Sequence, residues 1–170
     1  MRKRFMVLAA AGAMVLTGCS QMPNTAATVD GQRITETEVT AATEQLTEVL
    51  GTAPETSLVA NILVQEKLLA VLMAERGVEV SDDEAIAYLQ SAADSDGTQL
   101  PEDLADSTIA IGRYDLLVSE ASASEDVTEI SEEFVAELTS DSVQVSPRYG
   151  EYDDSGSLVT VTPEWLATVG

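Results

Sequence analysis

The single cysteine of this 170-residue chain, Cys19, is the side chain best suited to covalent chemistry, because its thiolate is a strong nucleophile. Three basic residues at 2–4 come first, followed by an uncharged, mostly apolar run at 5–16 and then Thr17 and Gly18. This order of basic, apolar and small residues is typical of a secretory signal peptide. The apolar run would form a helix of about 18 Å, too short to span a hydrocarbon core of roughly 30 Å.

The tetrapeptide Leu-Thr-Gly-Cys that ends at Cys19 resembles the lipobox of bacterial lipoproteins. The resemblance implies that the sulfur receives a diacylglycerol, that the chain is cut just before Cys19, and that the new amino group is often acylated. Because two or three acyl chains anchor a protein stably, residues 1–18 are predicted to be a signal peptide and Cys19 the membrane anchor. The alternative is a buried cysteine behind an ordinary signal peptide.

Neighbouring carboxylates are the other groups that could bind a metal or transfer protons. They occur at 82–84, 132–133 and 153–154. Sequence neighbours point apart on a helix, so the first two sets are poor ligands. The third lacks the twelve-residue loop and terminal Glu of a calcium site. The chain has no histidine. We therefore expect no metal, no cofactor and no catalysis, and an enzyme is the least favoured interpretation.

The charge of the mature part is strongly negative. All thirty acidic residues follow Cys19, where only five basic residues remain, so the net charge there is −25. Such a surface is repelled by phosphate backbones and by anionic lipid heads. We expect no nucleic-acid binding, no small-molecule substrate, and contact with the bilayer through acylated Cys19 alone.

Helical periodicity and a low aromatic content of 4% predict a mainly α fold. Capping boxes at Thr35 and Ser81 predict two helix starts. The predicted helices run from Thr35 to about Leu50 and over about 54–76, 82–93, 101–123 and 129–139. The second has two adjoining apolar stripes, which include Leu58 and Val71, so it is predicted to be the central, most buried helix.

The two ends of the mature chain are predicted to form a small β element. Residues 19–27 would be a lipidated flexible tether, and 28–170 one domain. Asp30-Gly31 is a two-residue turn signal. In the tail, strand-like segments at 143–145 and 157–161, with turn residues at 153–156 between them, predict a terminal hairpin.

Two segments resemble a known family. Residues 27–39, Ala-Thr-Val-Asp-Gly-Gln-Arg-Ile-Thr-Glu-Thr-Glu-Val, are similar to the start of the N-terminal domain of SurA and PrsA chaperones. Residues 145–153, Val-Ser-Pro-Arg-Tyr-Gly-Glu-Tyr-Asp, resemble the ending of actinobacterial SurA N-terminal-like lipoproteins. The resemblance implies a helical chaperone domain with an apolar cradle for non-native chains. A parvulin domain is not implied. The interval from the fourth helix to the tail is too short for one, and the chain lacks the histidines that its site characteristically uses.

The resemblance makes the expected function chaperone-like binding of unfolded or secreted polypeptides outside the cytoplasm. The alternative is an envelope adaptor with one dedicated partner. Met73, Trp165 and Leu166 are candidates either for client contact or for packing. The motif Pro147, Arg148, Tyr149 and Gly150 is predicted to tie the tail to the helices.

Replacing Cys19 with Ser should abolish lipid attachment and release the protein from the membrane, because serine offers no thiol to acylate. Cell fractionation and mass spectrometry of the intact protein measure this. A variant that stays with the membrane and still carries lipid would contradict the assignment.

Overall fold

The computed structural model describes residues 23–160, which form five helices and two small antiparallel sheets. The mainly α prediction is confirmed at that level. Cys19, Trp165 and Leu166 lie outside the described residues. The strands are β1 (Thr25–Val29), β2 (Gln32–Thr35), β3 (Val143–Val145), β4 (Glu151–Tyr152) and β5 (Leu158–Val159), and the helices are α1 (Glu36–Leu50), α2 (Thr56–Ala74), α3 (Asp82–Asp96), α4 (Asp106–Ala123) and α5 (Val127–Leu138).

The first sheet joins the two ends of the domain, as predicted. Its order is β2-β1-β3, with both pairs antiparallel. Asp30 and Gly31, at φ 50° and 75°, form the predicted turn between β1 and β2. Two successive positive φ values are typical of the hairpin turn that matches the twist of its strands. Strand β3 then pairs with the other side of β1, from the opposite end of the chain.

Two predictions about the chain ends are wrong. Strand β1 begins at Thr25, and Ala26 and Ala27 are fully buried, so the last three residues of the predicted tether belong to the sheet. In the tail, β3 pairs with β1, and the hairpin is formed by β4 and β5. The turn of that hairpin is the predicted one at 153–156. The Asp153 carboxylate accepts hydrogen bonds from the Ser155 hydroxyl and the Ser157 N–H, which lower its pKa.

Both predicted capping boxes are present. The Glu38 N–H donates to the Thr35 hydroxyl oxygen at 3.1 Å, and the Thr35 N–H donates to the Glu38 carboxylate at 2.7 Å. Ser81 and Glu84 make the same reciprocal pair at the start of α3. Each box satisfies two N–H groups that a helix start leaves without partners, so both starts lie where the sequence places them.

Helix α2 is the central helix, packed against α1, α4, α5 and the sheet. Among the described helices it alone is long and apolar enough to cross a membrane, with a mean hydropathy of 1.6, but half of it is buried inside the domain. Two residues of its predicted stripes are wrongly placed, since Leu58 and Val71 are 51% and 58% exposed. Its buried residues are Val59, Ala60, Leu63, Val64, Glu66, Leu68, Leu69, Leu72 and Met73.

Helix α4 begins at Asp106, five residues after the predicted start at Pro101. Its N-cap residue, Ala105, has no side chain that could cap. Gln45 of α1 supplies the missing group. Its amide oxygen accepts hydrogen bonds from the Ala105 N–H at 3.0 Å and from the Thr108 hydroxyl at 2.6 Å. A long-range cap of this kind fixes the helix start without leaving a local sequence signal.

Helices α3 and α4 cross at Gly112 with almost no space between them. A Cβ atom built on Gly112 would lie 2.7 Å from the Leu89 side chain and 2.9 Å from the Ala85 carbonyl oxygen. Because the second neighbour is backbone, it cannot move aside by changing rotamer. Gly112 therefore sets the distance between the two helices.

We predict that Gly112→Ala lowers the free energy of unfolding by about 1–3 kcal/mol, the usual effect of overpacking a core. An added Ala would otherwise stabilise a helix by about 1 kcal/mol, so the sign of the change is diagnostic. Urea denaturation measures it. Ser119→Ala, at an exposed position of α4, is the control and should change stability little. A stabilised Gly112→Ala variant would contradict the close crossing.

Candidate functional site

The tail motif lies against the start of α1. The Tyr149 side chain is 5% exposed, and its hydroxyl donates to the Glu36 carboxylate. Arg148 donates to the same carboxylate at 3.2 Å, and its guanidinium lies 5.5 Å from the centre of the Tyr149 ring. Arg148 is largely exposed, so its ion pair adds little stability. The buried tyrosine is the main tie between the tail and α1.

Gly150 completes the motif by allowing β5 to approach. Its φ is 131°, a conformation that side chains rarely adopt, and a Cβ there would lie 2.6 Å from the Val159 carbonyl oxygen. Pro147 is exposed and follows β3. Tyr149 and Gly150 therefore act in the packing of the tail, and Arg148 adds an exposed ion pair.

Met73 packs in the core and does not line a groove. It is 1% exposed and belongs to a buried cluster between α2, α4 and α5, which also contains Leu69, Leu117 and Ile130. Of the two roles left open for Met73, the structure shows packing. Trp165 and Leu166 lie outside residues 23–160.

An apolar groove opens between α4 and α5, and residues of this cluster form part of its lining. We call it the α4–α5 groove. It has a volume of about 210 Å³, and Val118 and Val127 at its rim are 37% and 42% exposed. Exposed valines on both sides leave the groove open to solvent. Its lining consists of Leu69, Tyr114, Val118, Ala121, Ser122, Val127, Ile130, Ser131 and Phe134.

The polar end of the α4–α5 groove is neutral. The Tyr114 hydroxyl donates to the Gln65 side-chain oxygen at 2.5 Å. Burial, together with the nearby Asp115 charge, raises the pKa of Tyr114, so the phenol stays protonated. The described lining residues carry no formal charge. The groove can therefore receive apolar side chains without desolvating an ion.

The neighbouring carboxylates do not converge on a site. Asp82 pairs with Arg113, which also pairs with the buried Glu66 of α2. Burial alone would lower the pKa of Arg113, but the two carboxylate hydrogen bonds outweigh it and raise the pKa. Glu133 pairs with Arg76 instead. Among residues 23–160, no group of three or more His, Cys, Asp or Glu side chains could hold a metal.

The sequence indicated most of the groove but missed one of its two rim residues. The four-residue spacing of Tyr114 and Val118 predicts one side of α4 for both, and that of Ile130 and Phe134 predicts one side of α5. Val127 was missed because α5 was predicted to begin at Glu129. The signal was available, since Val127, Ile130 and Phe134 are three and four residues apart and so share one helical face.

Comparison with known proteins finds no matching protein-family model, no matching curated protein and no matching solved structure. The two resemblances, of residues 27–39 to SurA and PrsA and of residues 145–153 to SurA N-terminal-like lipoproteins, therefore stay predictions. The geometry described above is what can support a function.

Stability should fall as the pH rises from about 10 to 12, because burial and the Glu36 hydrogen bond raise the pKa of Tyr149 to about 12 from an ordinary value of 10.0. Above pH 10 the unfolded chain loses the phenol proton while the folded chain keeps it, which favours unfolding. Burial also raises the pKa of Tyr152, in the same direction. Urea midpoints between pH 8 and 12 measure the effect.

Tyr149→Phe should lower stability near neutral pH by about 1.5 kcal/mol, since Glu36 loses a donor, and should flatten the alkaline decline. Tyr88→Phe is the comparison at neutral pH: it also removes a hydroxyl bonded to a carboxylate, that of Asp115, but Tyr88 is 37% exposed, so the loss of stability should be smaller. An unchanged alkaline decline in Tyr149→Phe would show that other groups cause it.

Proposed function

We propose that the chain is a lipoprotein anchored to the extracytoplasmic face of a membrane, whose helical domain binds unfolded or secreted polypeptides without catalysis. The observation that carries this proposal is the α4–α5 groove. It is apolar, it is open between Val118 and Val127, and its lining is uncharged. A groove of this kind can hold apolar side chains from many different sequences.

The positions of the two family-like segments support a SurA-like arrangement of the domain. Segment 27–39 contains part of β1, all of β2 and the start of α1, and segment 145–153 begins at the end of β3. They meet where Ala27 pairs with Val145 and where Tyr149 bonds to Glu36. The resemblance implies such docking of an N-terminal hairpin and helix with C-terminal elements.

The size of the groove implies weak, transient binding. A volume of about 210 Å³ accepts one or two side chains. Burying one large apolar side chain contributes about 1.5–3 kcal/mol, whereas a Kd of 1 mM already needs about 4 kcal/mol. Contacts of this strength matter only at high local concentration. An anchor at Cys19 would supply that concentration for chains emerging at the membrane.

The small groove also favours the alternative function, an envelope adaptor that binds one dedicated protein. A client-binding surface is often an apolar patch of several hundred Å², and this groove is smaller. Crosslinking in cells separates the two functions. Many substoichiometric partners indicate a chaperone, and one stoichiometric partner indicates an adaptor.

We predict that the mature chain at equimolar ratio slows aggregation of a reduced or denatured client, and that Val118→Gln combined with Val127→Gln removes most of this effect. Glutamine places polar groups at the rim, which weakens apolar contact. Light scattering measures aggregation. Val71→Gln is the matched control, since Val71 is 58% exposed and lies outside the groove.

Two outcomes would count against the proposal. If the unmodified chain failed to slow aggregation, client binding would be the wrong function. If Val71→Gln lost as much activity as the groove variant, the groove would not be the binding site.

A further inference from the structure

Strand β3 is an edge strand. The order β2-β1-β3 gives it one neighbour, β1, and no strand within residues 23–160 pairs with its other side. An edge strand presents a row of main-chain groups to which a further strand can be added.

The register shows which main-chain groups of β3 face outward. The Ser146 N–H donates to the Ala26 carbonyl oxygen at 2.8 Å, and the Asp30 N–H donates to the Ser142 carbonyl oxygen at 3.0 Å. In an antiparallel pair, bonded residues alternate with residues that point away. The main-chain N–H and C=O of Gln144 therefore face β1, and those of Val143 and Val145 face outward.

One of these outward groups already has a partner. The Val143 N–H donates to the Ser140 carbonyl oxygen at 3.2 Å. The N–H and C=O of Val145 have no hydrogen-bond partner within the described part of the chain. Val145 thus offers one donor and one acceptor, the pair that an added antiparallel strand uses.

A cavity of about 390 Å³ adjoins this strand. All three residues of β3 line it, together with the end of α5 at Leu138 and with Glu151 and Tyr152 of β4. It has room for a side chain of a strand lying beside Val145. The edge therefore combines main-chain partners with space for a side chain, which is the usual arrangement for binding an extended peptide.

The charge around the cavity selects for a cationic partner. Glu151 lines it. Glu137 and Asp141 lie on either side of the lining residues 138–140, and Asp153 and Asp154 follow β4. Arg148 is the nearest cation in sequence, and its guanidinium is paired with Glu36. A basic segment is attracted to such a surface, and an acidic one is repelled.

We propose that the β3 edge binds an extended, basic polypeptide segment by strand addition, with main-chain hydrogen bonds at Val145 and one side chain in the adjacent cavity. This inference rests on the proposed polypeptide-binding function and adds a second site with a stated specificity. The α4–α5 groove takes apolar side chains, whereas the β3 edge takes backbone and positive charge.

The test measures binding of a fluorescent decapeptide of alternating valine and lysine to the chain from residue 19, with Cys19→Ser, at physiological salt. Val145→Pro removes the outward N–H, and Val145→Ala is the control that keeps it. Anisotropy titration should show binding weakened about tenfold or more by Val145→Pro and by less than about threefold by Val145→Ala. Equal affinities for the two variants would overturn the proposal.

An N-methylated peptide keeps the test decisive if Val145→Pro folds poorly. The same decapeptide, methylated at every backbone amide nitrogen, has identical charges but cannot donate to the edge from either side, so it should bind the unmodified chain at least about tenfold more weakly. Equal binding of the two peptides would mean that charge alone attracts them, and the proposal would fail.

Amide hydrogen exchange at Val145 identifies any other occupant of the edge. The proposal expects fast exchange in the free protein and slow exchange with the peptide bound. Slow exchange without peptide would overturn it. If that protection is independent of concentration, another part of this chain covers the edge, and if it grows with concentration, a second copy does.

Failure of this inference is separable from failure of the proposed function. A chain that slows aggregation but fails the peptide tests retains its chaperone function and loses the edge site. A chain that passes the peptide tests but does not slow aggregation retains the edge site and loses the chaperone function.

Discussion

The pairing of β1 with β3 is the contact on which the rest of the domain depends. It joins segments more than a hundred residues apart and encloses all five helices between them. Closing so long a loop costs entropy, although the cost grows only slowly with length. Ala26, Ala27 and Val29 of β1 are buried, and Tyr149, four residues after β3, bonds to Glu36 at the start of α1. The same pairing leaves β3 as an edge, so the closure of the fold also creates its exposed strand.

How far the fold could be predicted depends on how local each signal is. The starts of α1 and α3 follow from capping boxes whose partners are three residues apart, and both were predicted correctly. The start of α4 was misplaced because its cap is Gln45, sixty residues away in sequence from Ala105. The pairing partner of β3 was also missed. A short strand carries no local signal that would identify β1 or β5 as its partner. The packing of the whole domain determines which of them it pairs with.

For the candidate site, too, the features set by local sequence could be predicted and those set by packing could not. Helical periodicity showed which residues of α4 and α5 face inward, so most of the groove lining could be predicted. Whether a neighbouring element covers that face depends on how closely the helices pack. Met73 and Val118 show the limit, since both are apolar residues of helices and yet one is 1% and the other 37% exposed. Sequence predicts the direction of a side chain, and packing decides its access to solvent.

The negative charge and the proposed anchor together restrict where the domain could act. Five residues lie between Cys19 and Thr25, where β1 begins, and a chain of that length spans at most about 20 Å. Electrostatic repulsion from anionic lipid heads decays over about 8 Å at physiological ionic strength. In the proposed lipoprotein, the tether is therefore long enough to hold the acidic domain beyond the range of this repulsion. It is too short for the domain to move far from the membrane. Because β3 lies beside β1, the proposed anchor would hold its free edge in that narrow zone, which is where the proposed function places a secreted chain.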